Sequence, residues 1–189
     1  MRGGFGLKRD KRGNRRAPAA VAECPANQGG TVSLFVSILV RYPEVASVTY
    51  RRESHCLRLS VLVRSGLPEE RVAALRERIG KSIQAYVRLV DRETRVFDLA
   101  VKARQGVSVV EMWRDIDSLT QNELSLILTV VREFFGDELV VDSLPHVENE
   151  DLAVQEELIE EMLDDLRDFR QQPNLIAFRE EGRVLVFNQ

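Results

Sequence analysis

Cysteine and histidine are both scarce, with two of each in 189 residues. Two cysteines cannot build the disulfide framework of a small secreted scaffold. Cys24, His55, Cys56 and His146 are also scattered, with none of the spacings that hold zinc. Six prolines and eleven glycines exclude a collagen-like or low-complexity chain. Long apolar runs are missing too. The longest, Val32 to Val40, is broken by two serines and falls well short of the roughly 20 residues that a membrane-spanning helix needs. The basic start is followed only by the short, weakly apolar Ala17 to Ala22 and then Glu23, Cys24 and Pro25, so secretion is not expected. A cytoplasmic protein without membrane association is expected. Neither Gly-x-x-x-x-Gly-Lys nor Gly-x-Gly-x-x-Gly occurs, so no loop is made to cradle a nucleotide and no cofactor is expected. Lysine supplies only four of the 27 bases, a bias that needs no functional reading.

What is present is charge, unevenly placed. The formal net charge of -3 divides into +5 over residues 1–30, balance over 31–146, -8 over 147–170 and balance in the tail. Opposite poles at the two ends suit partners of opposite sign, or each other. The first 30 residues combine six glycines with seven bases and almost no large apolar group. Such a segment cannot offset the entropy of ordering, so a disordered basic arm is expected over 1–30, with an organellar transit sequence or a start codon placed too early as alternatives.

An α+β core is expected over 31–146. Thr31 onward reads as an apolar helix with a narrow polar stripe of Ser33, Ser37 and Arg41, a strand being the alternative, and Pro43 ends it. Val45 to Arg52 and Cys56 to Arg64 alternate with the strand period around a turn at Glu53, Ser54 and His55. Pro68, Glu69 and Glu70 open an amphipathic helix to about Leu89, with Pro68 at its first position. Thr94 to Ala103 and Val107 to Arg114 make a second hairpin. Ser118 or Thr120 caps the next helix, Thr120 forming a capping box with Glu123, Gly136 closes it, and a short strand is expected at Glu138 to Asp142. Beyond 147, an acidic helix from an Asn149 cap to about Phe169 precedes a terminal hairpin, Leu175 to Phe178 with Val184 to Phe187. This part is expected to pack on the core.

Alternation separates two sheet faces. Ala46, Val48, Tyr50, Leu57, Leu59, Val61, Val63, Phe97, Leu99 and Val101 fall on one, while Ser47, Thr49, Arg51, Arg58, Ser60, Arg64, Asp98 and Lys102 fall on the other. An antiparallel sheet with helices on one face, a sandwich of ferredoxin-like type by analogy of layers, gives this pattern.

Few residues carry chemistry. His55 and Cys56 adjoin, but neighbours in a strand point to opposite faces, and Cys-His enzymes gather the pair from separate elements. Asp115 and Asp117 fit a cation only if they are not spent capping the next helix or pairing with arginine. The acidic helix presents Leu152, Ile159, Met162, Leu166 and Phe169, widened by Leu158 and Leu163, as a stripe that must be buried on its own core or in a partner's groove. Arg9, Arg12, Arg15 and Arg16 in the arm, with Arg51, Arg58 and Arg64 on the polar sheet face, are the candidates for contact with RNA or a ribosomal surface. Base stacking needs exposed aromatics, and the outward positions of the central strands hold Ser, Thr and Arg instead. The leading expectation is therefore a small non-enzymatic interaction or regulatory protein that binds itself or another protein. An RNA- or ribosome-associated factor comes next, and a small enzyme whose site assembles from distant residues third.

Overall fold

A computed structural model describes residues 29–142, 149–168, 172–180 and 183–188. The arm arginines Arg9, Arg12, Arg15 and Arg16, together with Cys24, His146, Phe169 and the side chain of Leu152, lie outside the described residues. In chain order the described elements are α1 (Gly29–Arg41), β1 (Val45–Arg51), β2 (Cys56–Val63), α2 (Glu69–Leu89), β3 (Phe97–Arg104), β4 (Val107–Asp115), α3 (Gln121–Phe135), α4 (Asn149–Asp168), β5 (Leu175–Glu180) and β6 (Arg183–Asn188). All pairings are antiparallel, in the order β3-β4-β2-β1-β5-β6. The fold is α+β, with one sheet and its helices on one face. Its likeness to a ferredoxin-like sandwich is one of layers, for the strand order sets three hairpins side by side. No helix among the described residues is long and apolar enough to cross a membrane.

The helices cover the apolar face in two pairs. α1 lies on β1 and β5 with α4 against it, α2 reaches β3 and packs on α3, and α3 also meets α4. One core joins Leu34, Phe35 and Ile38 of α1, Leu75 and Ile79 of α2, Leu124 and Leu128 of α3, and Ile159, Leu163 and Leu166 of α4 to Val48, Tyr50, Leu57, Leu59, Val61, Leu99, Val110 and Met112 of the sheet. Burying a side chain of this size contributes about 1.5–3 kcal/mol, so α4 is held by its own stripe.

Several expectations change at the level of single residues. The polar stripe of α1 is only partly left to water: Ser33 is exposed, but Ser37 is buried and Arg41 donates to Glu156 of α4 at 2.9 Å, because α1 is clamped between sheet and α4. The register shifts between Val45 and Ser47, which turns Val45 rather than Ala46 into the core. Pro68 stands one place outside α2 as its N-cap, and its carbonyl accepts from the N–H groups of Arg71 and Val72. The capping box is half made. Thr120 Oγ1 accepts from Glu123 N–H at 3.1 Å, but the Glu123 carboxylate turns inward to Arg114 instead of back to the cap. No strand forms over Glu138 to Asp142. A 3-10 turn at Gly136–Glu138 leads into a single bridge, Leu139 opposite Val63, flanked by Arg64 N–H to Glu138 O and Val140 N–H to Leu62 O, each 2.8 Å. These residues fill the place beside β2 that β1, beginning opposite Val61, leaves open.

Candidate interaction face

The second face of the sheet follows from register alone. Asp98, Trp113, Arg58, Thr49, Ile176 and Phe187 are successive cross-strand partners, a row that runs over all six strands. Ala100, Glu111, Ser60, Ser47, Phe178 and Leu185 form the next row in the same way. Successive residues of a strand point to opposite faces, so both rows lie on the face away from the helices. None of Leu62, Val107, Val109, Trp113, Ile176, Phe178, Leu185 and Phe187 joins the core or packs against it. Phe178 and Phe187 stack with ring centroids 5.5 Å apart and planes 11° from parallel, and Phe187 is 50% exposed.

The centre of this face is polar and internally neutralised. Arg58 donates from Nη2 to Thr49 Oγ1 at 3.0 Å and from Nη1 to Glu111 Oε1 at 3.3 Å. Lys102 Nζ lies 2.7 Å from Glu111 Oε2. Glu111 thus sits between two cations, and the face is flanked by Trp113 on one side and by the apolar side chains of β5 and β6 on the other.

Ser47, Thr49, Arg58 and Ser60 stand outward on β1 and β2 as their alternation predicts. The central strands β1 and β2 carry no outward ring, as their alternation predicts, but β4 contributes Trp113 and the terminal hairpin contributes Phe178 and Phe187. The expected arginine set does not form one platform. Arg51 is exposed at the end of β1, Arg58 is spent on Glu111 and Thr49, and Arg64 lies past the end of β2, where it donates to Asp137 O at 3.5 Å. Of the expected docking stripe on α4, Ile159 and Leu166 are buried in the chain's own core and Met162 is half-buried against it. That stripe holds the domain together and leaves nothing for a partner to grip at those two positions.

A second cluster gathers at one end of the sheet, where the β1–β2 turn meets the link from β4 to α3. His55, at φ 50°, places Nδ1 2.9 Å from the Tyr50 hydroxyl and Nε2 3.2 Å from Asp117 Oδ1, and Asp117 Oδ2 accepts from Arg95 at 2.8 Å. The Cys56 thiol, buried beside it, donates to Ser54 O at 3.2 Å. Burial pushes the thiol pKa up, against the lowering hydrogen bond with Ser54, so the thiolate is disfavoured. Deeper still, Arg114 stands on the helix-covered face at 2% exposure. It donates to Glu123 at 3.0 Å, to Ser118 Oγ at 3.0 Å, to Asp115 and to the Val96 carbonyl. Burial by itself would raise the pKa of Asp115. The Ser118 hydroxyl, the Val96 N–H and the Arg114 charge outweigh it and hold the carboxyl below its usual range. Asp115 and Asp117 are therefore spent on arginine, histidine and backbone N–H groups, and the cluster fastens β4 to α3. Among the described residues no three carboxylates, histidines or cysteines gather to hold a metal ion.

The groove between the end of α2, the start of α3 and α4 encloses about 640 Å³ and is lined by Tyr86, Arg92, Gln121, Glu156, Glu157 and Glu160. Two of its carboxylates already serve the fold: Glu160 accepts from Gln121 N–H at 2.6 Å, and Glu156 holds Arg41.

Sequence alone leaves the faces of β5 and β6 unassigned. The alternation of Val107, Val109, Glu111 and Trp113 was a usable signal. The terminal hairpin, apolar on both sides, gave none until its pairing with β1 was known. No protein-family profile, no curated protein sequence and no solved structure matches this chain, so the open sheet face and its chemistry carry the functional argument alone.

Proposed function

We propose that the protein is a non-enzymatic interaction module that docks another protein surface through the open face of its sheet. The observation that carries this reading is the apolar cluster of Ile176, Phe178, Leu185 and Phe187, which lies outside the core and on the same face as Trp113. Large apolar groups set beside polar ones, on a face that none of the described helices covers, are characteristic of protein contact surfaces. The neutralised centre favours a protein over a phosphate backbone, since Glu111 already occupies both Arg58 and Lys102.

The test is a photo-crosslinking residue placed at Trp113 in the full chain in its native cell, with the same residue at exposed Glu77 of α2 as control. A discrete protein adduct at 113 and none at 77 is expected. No adduct at 113, or an adduct that is nucleic acid and disappears at high salt, overturns the reading.

A further inference from the structure

We infer that a second copy of the chain joins this one antiparallel through the edge strand β6, so that two six-stranded sheets become one. The inference goes beyond the interaction reading, because a joint at this edge leaves the open face and Trp113 free for a further partner. β6 and β3 are the two edges of the sheet, and they differ in kind. The outward side chains of β3 include Asp98, Lys102 and Arg104, the charges by which edge strands discourage pairing. β6 carries Val184, Leu185, Val186 and Phe187 in succession, with neither charge nor proline between Arg183 and Asn188. An edge of that composition is a template for another strand.

Its pattern is also self-complementary. A twofold axis at Leu185 sets this residue against the partner's Leu185, Val184 against the partner's Val186, and Arg183 against the partner's Phe187, each pair on one face. The apolar positions then meet apolar positions. The guanidinium of Arg183 comes to lie by a half-exposed ring that is already stacked on Phe178, a cation-π arrangement repeated by symmetry. Sliding the strands by two residues moves Arg183 opposite the partner's Leu185 or beyond the paired strand, so this register is the one that uses both ends of β6. In it the exposed phenyl pairs continue across the joint, and the open faces of the two sheets merge.

Sedimentation equilibrium of the full chain over a wide concentration range tests this. A concentration-dependent dimer is expected. Phe187→Lys sets like charges together at both symmetric positions and should weaken the dimer about tenfold or more, tenfold being about 1.4 kcal/mol. Phe187→Glu, equally polar, faces the partner's Arg183 and should leave the dimer within a few-fold of the original. Arg183→Glu alters only an exposed side chain and should weaken it, and Arg183→Glu combined with Phe187→Lys should restore it. A monomer throughout, or equal loss with lysine and glutamate at 187, overturns the pairing. A monomer that still gives a protein adduct at Trp113 sinks the second copy and leaves the interaction reading standing. A monomer without that adduct sinks both.

Discussion

Removing the Arg114 guanidinium should be among the most damaging single changes in the domain. Arg114 is buried at 2% exposure between Glu123 at 0% and Asp115 at 4%, so Arg114→Met strands two carboxylates in a site that water does not reach. Breaking a buried pair by removing one partner costs about 3–5 kcal/mol, far more than the intact pair contributes, because the remaining charge is left uncompensated. Asp115 keeps its bonds from Ser118 and the Val96 N–H, which places the loss near the middle of that range, about 4 kcal/mol. At about 2–4 °C per kcal/mol for a domain of this size, the melting midpoint should fall by about 8–16 °C. Urea denaturation at neutral pH followed by circular dichroism measures it. Glu123→Leu combined with Arg114→Met should recover much of the loss, since an apolar pair of similar volume replaces the ions and only Asp115 remains. The reasoning is refuted if Arg114→Met alone stays within about 1 kcal/mol of the original chain, or if adding Glu123→Leu deepens its loss.

Three further outcomes follow from local geometry. Gly80 lies in the interior of α2, and a Cβ there would come no nearer than 4.0 Å to the Phe97 ring, so Gly80→Ala should raise stability by about 0.5–1 kcal/mol in the same titration. The β3–β4 hairpin turns through Gln105 and Gly106, both at positive φ, and Gln105→Asn, which tolerates that conformation better, should stabilise by a few tenths of a kcal/mol while Gly106→Ala destabilises by about 1 kcal/mol. Hydrogen bonds from Arg71 and Ser65 lower the Glu138 carboxyl from its ordinary 4.5 to about 2. A depressed folded-state value means that this contribution is complete above the unfolded value and is lost as pH falls from about 4.5 toward 2. The stability gap between the original chain and Glu138→Gln should therefore be present at neutral pH and close across that window, and a gap that persists at its acid end refutes the assignment.

Local patterning determined most elements of this chain. Alternation in Val45 to Arg51 and Cys56 to Val63, the apolar spacing of α2 and α3, Thr120 at one helix start and Gly136 at its end are each fixed by neighbours a few residues away, which is the range over which propensity and capping act. Even the separation of polar from apolar faces was legible for β2, β3 and the part of β1 past its register shift. Tertiary structure alone decided the rest, because each remaining question concerned partners far apart in the chain. The terminal hairpin could be read as a hairpin, yet only the pairing of β5 with β1 put Phe178 and Phe187 beside Ser47 and Thr49 and gave the open face its rings. Arg114 alternates like its neighbours and carries no mark of burial until Glu123 arrives from the next helix to balance its charge. The stripe on α4 fits a partner's groove as well as its own core, since periodicity says that a face must be buried and not against what. Burial and charge compensation are sums over surrounding space, and a linear pattern does not contain that sum.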